Sequence, residues 1–216
     1  AVLGDVFASY EAIVQNIPVP VRDAPPPYAR YIEWLQKQDA ELARAHWTRV
    51  LGDFAEPHSM EHFLTSAGAS GSSSNATVER MLSSDTVTLL NNLARASRVT
   101  LSTLFQLCWG IALGTVTRSS DIVFGVTSSG RSSAPIAGLE TMVGLFINTL
   151  PVLVHAADAV ALPVIEWLVD LQRQLVSSRE HEQSSLAEIQ SWCGLRAGGR
   201  AGDSGVLESV VVYENY

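Results

Sequence analysis

Lysine is almost missing from this 216-residue chain. Lys37 stands alone beside thirteen arginines, and 22 acidic residues outweigh 14 basic ones, for a net charge of −8. No basic stripe is present to neutralise a phosphate backbone, so no nucleic-acid partner is expected. Cysteine is nearly as scarce. Two thiols, Cys108 and Cys193, exclude a disulfide framework and a zinc site built on several thiolates. Charge of either sign is low at 17%, against 47% hydrophobic residues, which supplies a core and excludes a disordered chain. The opening Ala-Val-Leu-Gly-Asp lacks an initiator Met and the pattern of a secretory signal. It reads as cut from a longer protein, with a reducing, cytoplasmic setting expected.

One long uncharged run is present, Val99 to Thr117. Its length would admit a membrane span. Four threonines, a serine, a glutamine and two glycines interrupt its apolar character, so it reads as a helix buried in a globular domain, with Cys108 a small core residue on it. No membrane partner is expected.

Periodicity gives the remaining order. Residues 1–15 read as an amphipathic helix, and Asn16 to Pro27 as a proline-rich linker ending in three consecutive prolines. A single helix is expected over Tyr28–Leu51, stopped at Gly52. Residues 56–76, Gly/Ser-rich from Ala67, form a flexible loop. Thr77–Leu82 is a candidate strand. Ser84 or Asp85 caps a helix to Ala96, and Thr100 caps the buried helix. Asp121–Ser128 is a mostly buried strand, Ser129–Val143 a long loop, and Leu145–Val154 a strand in which Pro151 signals an edge or the end of pairing. Leu162–Arg179 is an amphipathic helix, and Ser185 with Glu188 forms a capping box. Arg196–Gly205 is a Gly-rich loop, and Val206–Tyr213 a strand inside a sheet. The sum is α+β, a mixed α/β sandwich.

Motifs of catalysis are fragmentary. His58-Ser-Met-Glu61-His62 fits an inverted zinc-peptidase pattern, but it follows Pro57 and lacks the apolar period of a zinc-bearing helix, so it reads as surface. Gly125-Val-Thr-Ser-Ser-Gly130 has the wrong spacing for a nucleophile elbow, and no Walker A loop is present. His46 and His155 read as packing or surface residues. Glu180 with Glu182, and Asp203 with Glu208, read as solvated carboxylates. No complete catalytic constellation emerges, and no metal ligands are assigned.

Several segments, taken in order, resemble the condensation domains of nonribosomal peptide synthetases. They are Tyr31-Ile-Glu-Trp34-Leu-Gln with His46-Trp47; Asp121-Ile-Val-Phe-Gly-Val-Thr-Ser-Ser-Gly-Arg131; Met142-Val-Gly-Leu-Phe-Ile-Asn148-Thr-Leu-Pro151; Ser185-Leu-Ala-Glu-Ile-Gln190; and Val210-Val-Val-Tyr-Glu-Asn-Tyr216. The resemblance implies two chloramphenicol-acetyltransferase-like lobes in a V around a tunnel. It implies amide formation between a donor thioester and an acceptor amine, both tethered by phosphopantetheine arms on carrier domains. No cofactor would be bound by this chain itself. The family's adjacent His pair followed by Asp-Gly is absent, since none of the five histidines neighbours another; by resemblance that motif would end shortly before Ala1. The chain therefore resembles a C-terminal half. Residues 1–55 would be the end of the first lobe and the connecting helices, and 77–216 the second lobe. Its partners would be the donor and acceptor carrier domains, the missing first lobe and neighbouring synthetase domains. By the same resemblance Asn148, Ser128, Ser129, Gly130 and Arg131 border the tunnel, and no base or nucleophile is assigned. A docking or scaffold lobe, an acyltransferase using a soluble thioester and an epimerisation domain are the alternatives.

Overall fold

The computed structural model describes residues 2–21, 24–52, 54, 76–155, 163–195 and 207–214. Helix α1 (Val2–Val14) leads, followed by α2 (Ala29–Leu35) and α3 (Ala40–Leu51). The single helix expected over 28–51 is thus two. Asp39 breaks it: its carboxylate accepts from the amides of Glu41 and Leu42, making it the N-cap of α3. Helices α4 (Ser84–Ser97) and α5 (Leu101–Thr117) then run into β1 (Asp121–Ser128), and a long loop leads to β2 (Asn148–His155). Helices α6 (Val164–Arg179) and α7 (Leu186–Cys193) precede the two-residue strand β3 (Val210–Val211). Ser83 caps α4, one residue earlier than expected. Thr100 caps α5, and the Ser185–Glu188 capping box opens α7 as its spacing predicts.

The sheet order is β2-β1-β3. β1 runs antiparallel to β2 over eight residue pairs and parallel to β3 over two. Pro151 lies opposite Gly125. It is tolerated because β2 is an edge strand among the described residues, and pairing continues past it to His155. The expected interior strand over Val206–Tyr213 shrinks to β3, itself at the other edge, with Val210 and Val212 exposed. Residues 77–82 form no strand. The motif His58–His62, most of the loop expected at 56–76 and Arg196–Gly205 lie outside the described residues.

Successive β1 side chains serve opposite faces. Ile122 and Phe124 pack with Leu104, Leu107, Trp167, Leu168 and Leu171 from α5 and α6. Val123 packs with Trp47, Leu51 and Ile189 from α3 and α7. Burial on both faces explains why β1 reads as an unbroken apolar run. A third cluster joins Tyr31 of α2 to Ala134, Leu139, Met142 and Phe146 of the loop before β2.

Only one face of α5 is buried, through Leu104, Leu107, Gly110, Leu113 and Gly114. Cys108 lies off that face and is exposed, against the sequence expectation. No single helix among the described residues is long and apolar enough to cross a membrane. Gly110 lets α5 lie close on the sheet: a Cβ there would meet three Val154 side-chain atoms at 2.8–2.9 Å. Gly110→Ala gains about 1 kcal/mol of helix propensity, yet we expect urea unfolding to show a net loss of about 1–2 kcal/mol from overpacking. Adding Val154→Ala removes the two Cγ contacts and leaves the one to Cβ, so the double variant loses less than the two single losses combined. Additive losses would show that the helix and strand are not in tight contact.

Candidate functional site

β1 ends where β2 begins, and the antiparallel register sets Ser128 directly opposite Asn148. Two residues singled out by the sequence are thereby brought together. Gly130 follows, with φ +65°. A Cβ there would lie 1.8 Å from the carbonyl oxygen of Phe146, so only glycine permits the loop to turn against that backbone.

Arg131 points into its own loop. Its guanidinium donates to the carbonyls of Leu139 and Met142, the latter at 3.1 Å, and lies 3.8 Å over the ring of Phe146. The planar fork serves two acceptors and one aromatic face at once. Phe146 meets Tyr28 and Tyr31 edge-on at 5.1 and 4.7 Å, and the Tyr28 hydroxyl donates to the Leu145 carbonyl at 2.5 Å. The segment around α2 thus braces the loop that carries Arg131.

Asn148 is engaged on both sides of its amide. Nδ2 donates to the carbonyls of Glu182 and Ser184 at 2.8 and 2.7 Å, and Oδ1 accepts from the Thr149 amide at 2.9 Å. The turn between α6 and α7 is the partner, and it contains the residue the sequence reading missed. Glu182, taken as a solvated carboxylate, is 1% exposed. Its Oε1 accepts from the amides and hydroxyls of Ser132 and Ser133 at 2.8–3.0 Å, and its Oε2 from the Ser128 hydroxyl. Burial pushes its pKa up. The donors from Ser128, Ser132 and Ser133 outweigh burial and hold it below the usual carboxylate value. A readable signal existed: four serines in six residues after a buried strand are donors that need an acceptor.

Two cavities flank this segment. One, of about 810 Å³, opens between α4, α5, α6 and the strand ends. The other, of about 410 Å³, is bordered by Arg131, residues 144–147 and residues 212–214. Thr127, Ser128, Ser129 and Tyr213 line both. Hydroxyls, amides and apolar side chains dominate the walls, and no histidine lines either cavity among the described residues. Such walls can bind and orient a substrate. They offer no imidazole to take a proton. Nor does any group of three His, Cys, Asp or Glu side chains suited to a metal occur among the described residues.

Histidines do occur behind the site. His46 on α3 is 7% exposed. Its Nε2 is 3.2 Å from the Ser178 hydroxyl, its Nδ1 3.2 Å from Arg49, and its ring 4.5 Å from that of His181. Burial, then His181 and Arg49, lowers its pKa to about 4, and burial is the main cause lowering that of His181. His155, by contrast, is exposed and contacts Asp121 at 2.6 Å.

A small helix-flanked sheet with its cavities at the strand ends is the chloramphenicol-acetyltransferase-like arrangement. Solved structures with this fold include the first condensation domain of the CDA synthetase, with TM-score 0.67 and 19% identity, covering 98% of this chain and 44% of that one. The condensation domain from the monacolin K polyketide synthase MokA matches with TM-score 0.66 and 15% identity, covering 95% and 49%. The chain belongs to the Condensation domain family, whose model matches residues 1–216. It is 36% identical over 215 residues to chondramide synthase cmdD of Chondromyces crocatus, and 38% identical over 218 residues to a linear gramicidin synthase of Brevibacillus parabrevis. Both matches span all of this chain, and only 5% and 4% of the length of those synthases.

The histidine pair yields a pH prediction. A depressed folded pKa means that the unfolded chain takes up the proton first as pH falls. Stability is therefore intact above about pH 6.5 and declines toward pH 4. The urea midpoint should drop across that window, and His46→Asn should flatten the drop, leaving the part due to His181. An unchanged slope would remove His46 from the acid response.

Proposed function

We propose that this chain is one lobe of an enzyme that forms amide bonds between two carrier-tethered substrates in nonribosomal peptide synthesis. The donor arrives as a phosphopantetheine thioester and the acceptor as the amine of a second carrier-bound residue. The observation that carries the reading is the pair of cavities meeting at Thr127–Ser129, in a chain of the Condensation family. Two cavities with a common wall suit two substrates that must meet. Ser128, Ser129, Gly130, Arg131 and Asn148 are the proposed border of that meeting point, Arg131 by holding the loop before β2 and Asn148 by holding the α6–α7 turn. The reaction asks chiefly for alignment of amine and thioester and for stabilisation of a tetrahedral oxyanion. Walls of hydroxyls and amides suit the first task.

Residues 77–216 are the proposed second lobe, and 1–55 the end of a first lobe with its connecting helices. The exposed face of α1 supports this. Leu3, Phe7, Tyr10 and Ile13 are 62–71% exposed, and such a stripe on a helix calls for a partner surface. The coverage of 44% of the CDA synthetase domain agrees with a further lobe in the working unit. A cytoplasmic location and the neighbouring domains of a synthetase belong to the same proposal.

A protein carrying both lobes, given separately loaded donor and acceptor carrier domains, should extend the acceptor by one amide, read by mass spectrometry of the carrier. Product formed equally well with a free, untethered acceptor would favour a soluble acyltransferase instead, and no product at all would overturn the reading. The 216-residue chain alone should bind a dye for apolar surfaces through α1, and the two-lobe protein should not. Equal dye binding by both would exclude a first lobe seated on α1.

A further inference from the structure

Among the described residues Glu182 is the one carboxylate that is buried. An ionised group so placed is tolerated only when its lone pairs are filled. All five donors that fill them come from Ser128, Ser132 and Ser133. Ser128 precedes the Ser129–Arg131 turn and Ser132 follows it, so one carboxylate closes a ring across the turn. The backbone carbonyl of the same residue accepts from Asn148 at the start of β2. A single residue from the α6–α7 turn therefore ties the end of β1, the loop and the start of β2 into one unit. Ser128 and Ser129 of that unit are the shared wall of both cavities.

We propose that Glu182 is a positioning residue for the reaction: its carboxylate fixes the Ser128–Ser133 segment, so that substrates in the two cavities meet one rigid wall. This rests on the proposed condensation activity. Neither oxygen of the carboxylate carries a proton, so both can only accept. Glutamine keeps the size but replaces one acceptor with an NH2 group that donates, and it cannot receive all five bonds. Aspartate keeps the charge and shortens the reach.

The test uses the two-lobe protein with loaded carriers. Glu182→Gln should lower kcat for amide formation about 10- to 100-fold while KM for each carrier holds, because the change is confined to the buried latch that Glu182 forms with the three serines. Glu182→Asp should recover part of the loss. In a Ser128→Ala/Ser132→Ala/Ser133→Ala background, Glu182→Gln should cost less than it does in wild type, since three of its five donors are gone and only the amides of Ser132 and Ser133 remain. A residue that merely supported the fold would give neither the kcat-against-KM split nor this non-additivity. Hydrogen exchange of the peptide spanning residues 127–134 supplies a readout independent of turnover, and should be faster in Glu182→Gln than in wild type.

Wild-type kcat in Glu182→Gln, or unchanged exchange in that peptide, overturns the proposal. An inactive wild-type protein overturns the functional reading instead, and the exchange comparison then decides the latch by itself. If Glu182→Gln fails to fold, Glu182→Asp carries the test. Wild-type kcat with wild-type exchange in that variant, and additive loss with the serine substitutions, overturns the proposal.

Discussion

A carboxylate with 1% exposure must find its partners inside the protein, and Glu182 finds them in one place. Its neighbours are serines rather than a cation, which has a structural consequence. A lysine or arginine partner would be one flexible side chain. Two backbone amides and three hydroxyls from a six-residue stretch fix the path of the main chain itself. The bonds also work in both directions. The segment after β1 leaves the ladder at Ser128 and would otherwise expose unpaired amides, and the carboxylate satisfies those of Ser132 and Ser133.

Arg131 does for the far half of the loop what Glu182 does for the near half. Its fork gathers the carbonyls of Leu139 and Met142, and its stacking on Phe146 links the loop to the aromatic group around α2. The two charged residues share no ion pair. Each converts its charge into several hydrogen bonds to neutral groups, the anion collecting donors and the cation collecting acceptors. Gly130 sits between them, where close contact with the Phe146 carbonyl leaves no room for a side chain. A loop that looks irregular in outline is held at nearly every step.

Local chemistry made much of this fold legible. Thr100, Ser185 and Glu188 announce their helices because a cap is decided within four residues. β1 is readable because both of its faces are buried. The split of α2 from α3 was harder, since the apolar period runs straight through Asp39 and the competing cap is a single side chain. Cys108 was misplaced because a run of uncharged residues reveals that a helix is apolar without revealing which face is covered. Val210–Val212 look like an interior strand, yet only two of those residues pair and they lie at an edge. Ser128, Gly130, Arg131 and Asn148 came from resemblance to a family, and their contacts to one another could not be read from spacing. Glu182 was missed for a physical reason: its partners lie 49–54 residues away, and its sequence neighbours Glu180, His181 and Gln183 read as the polar residues of a solvated turn.

What the site lacks is as informative as what it holds. His46 and His181 are turned into the packing of α3 against the end of α6, and His46 is held neutral well below ordinary pH. Neither lines either of the two cavities at the Ser128 segment. Glu182 and Arg131 are saturated by the loop they hold, while Arg179, Tyr213 and Glu214 line the cavities. In the proposed reading this surface orients substrates, and its electrostatic contribution is fixed before they arrive. In the proposed reaction of an amine with a thioester, alignment is a large share of the barrier. The proposed role follows from that: this lobe supplies a rigid wall with hydroxyl and amide groups at set positions, held there by Glu182 and Arg131 before any substrate arrives.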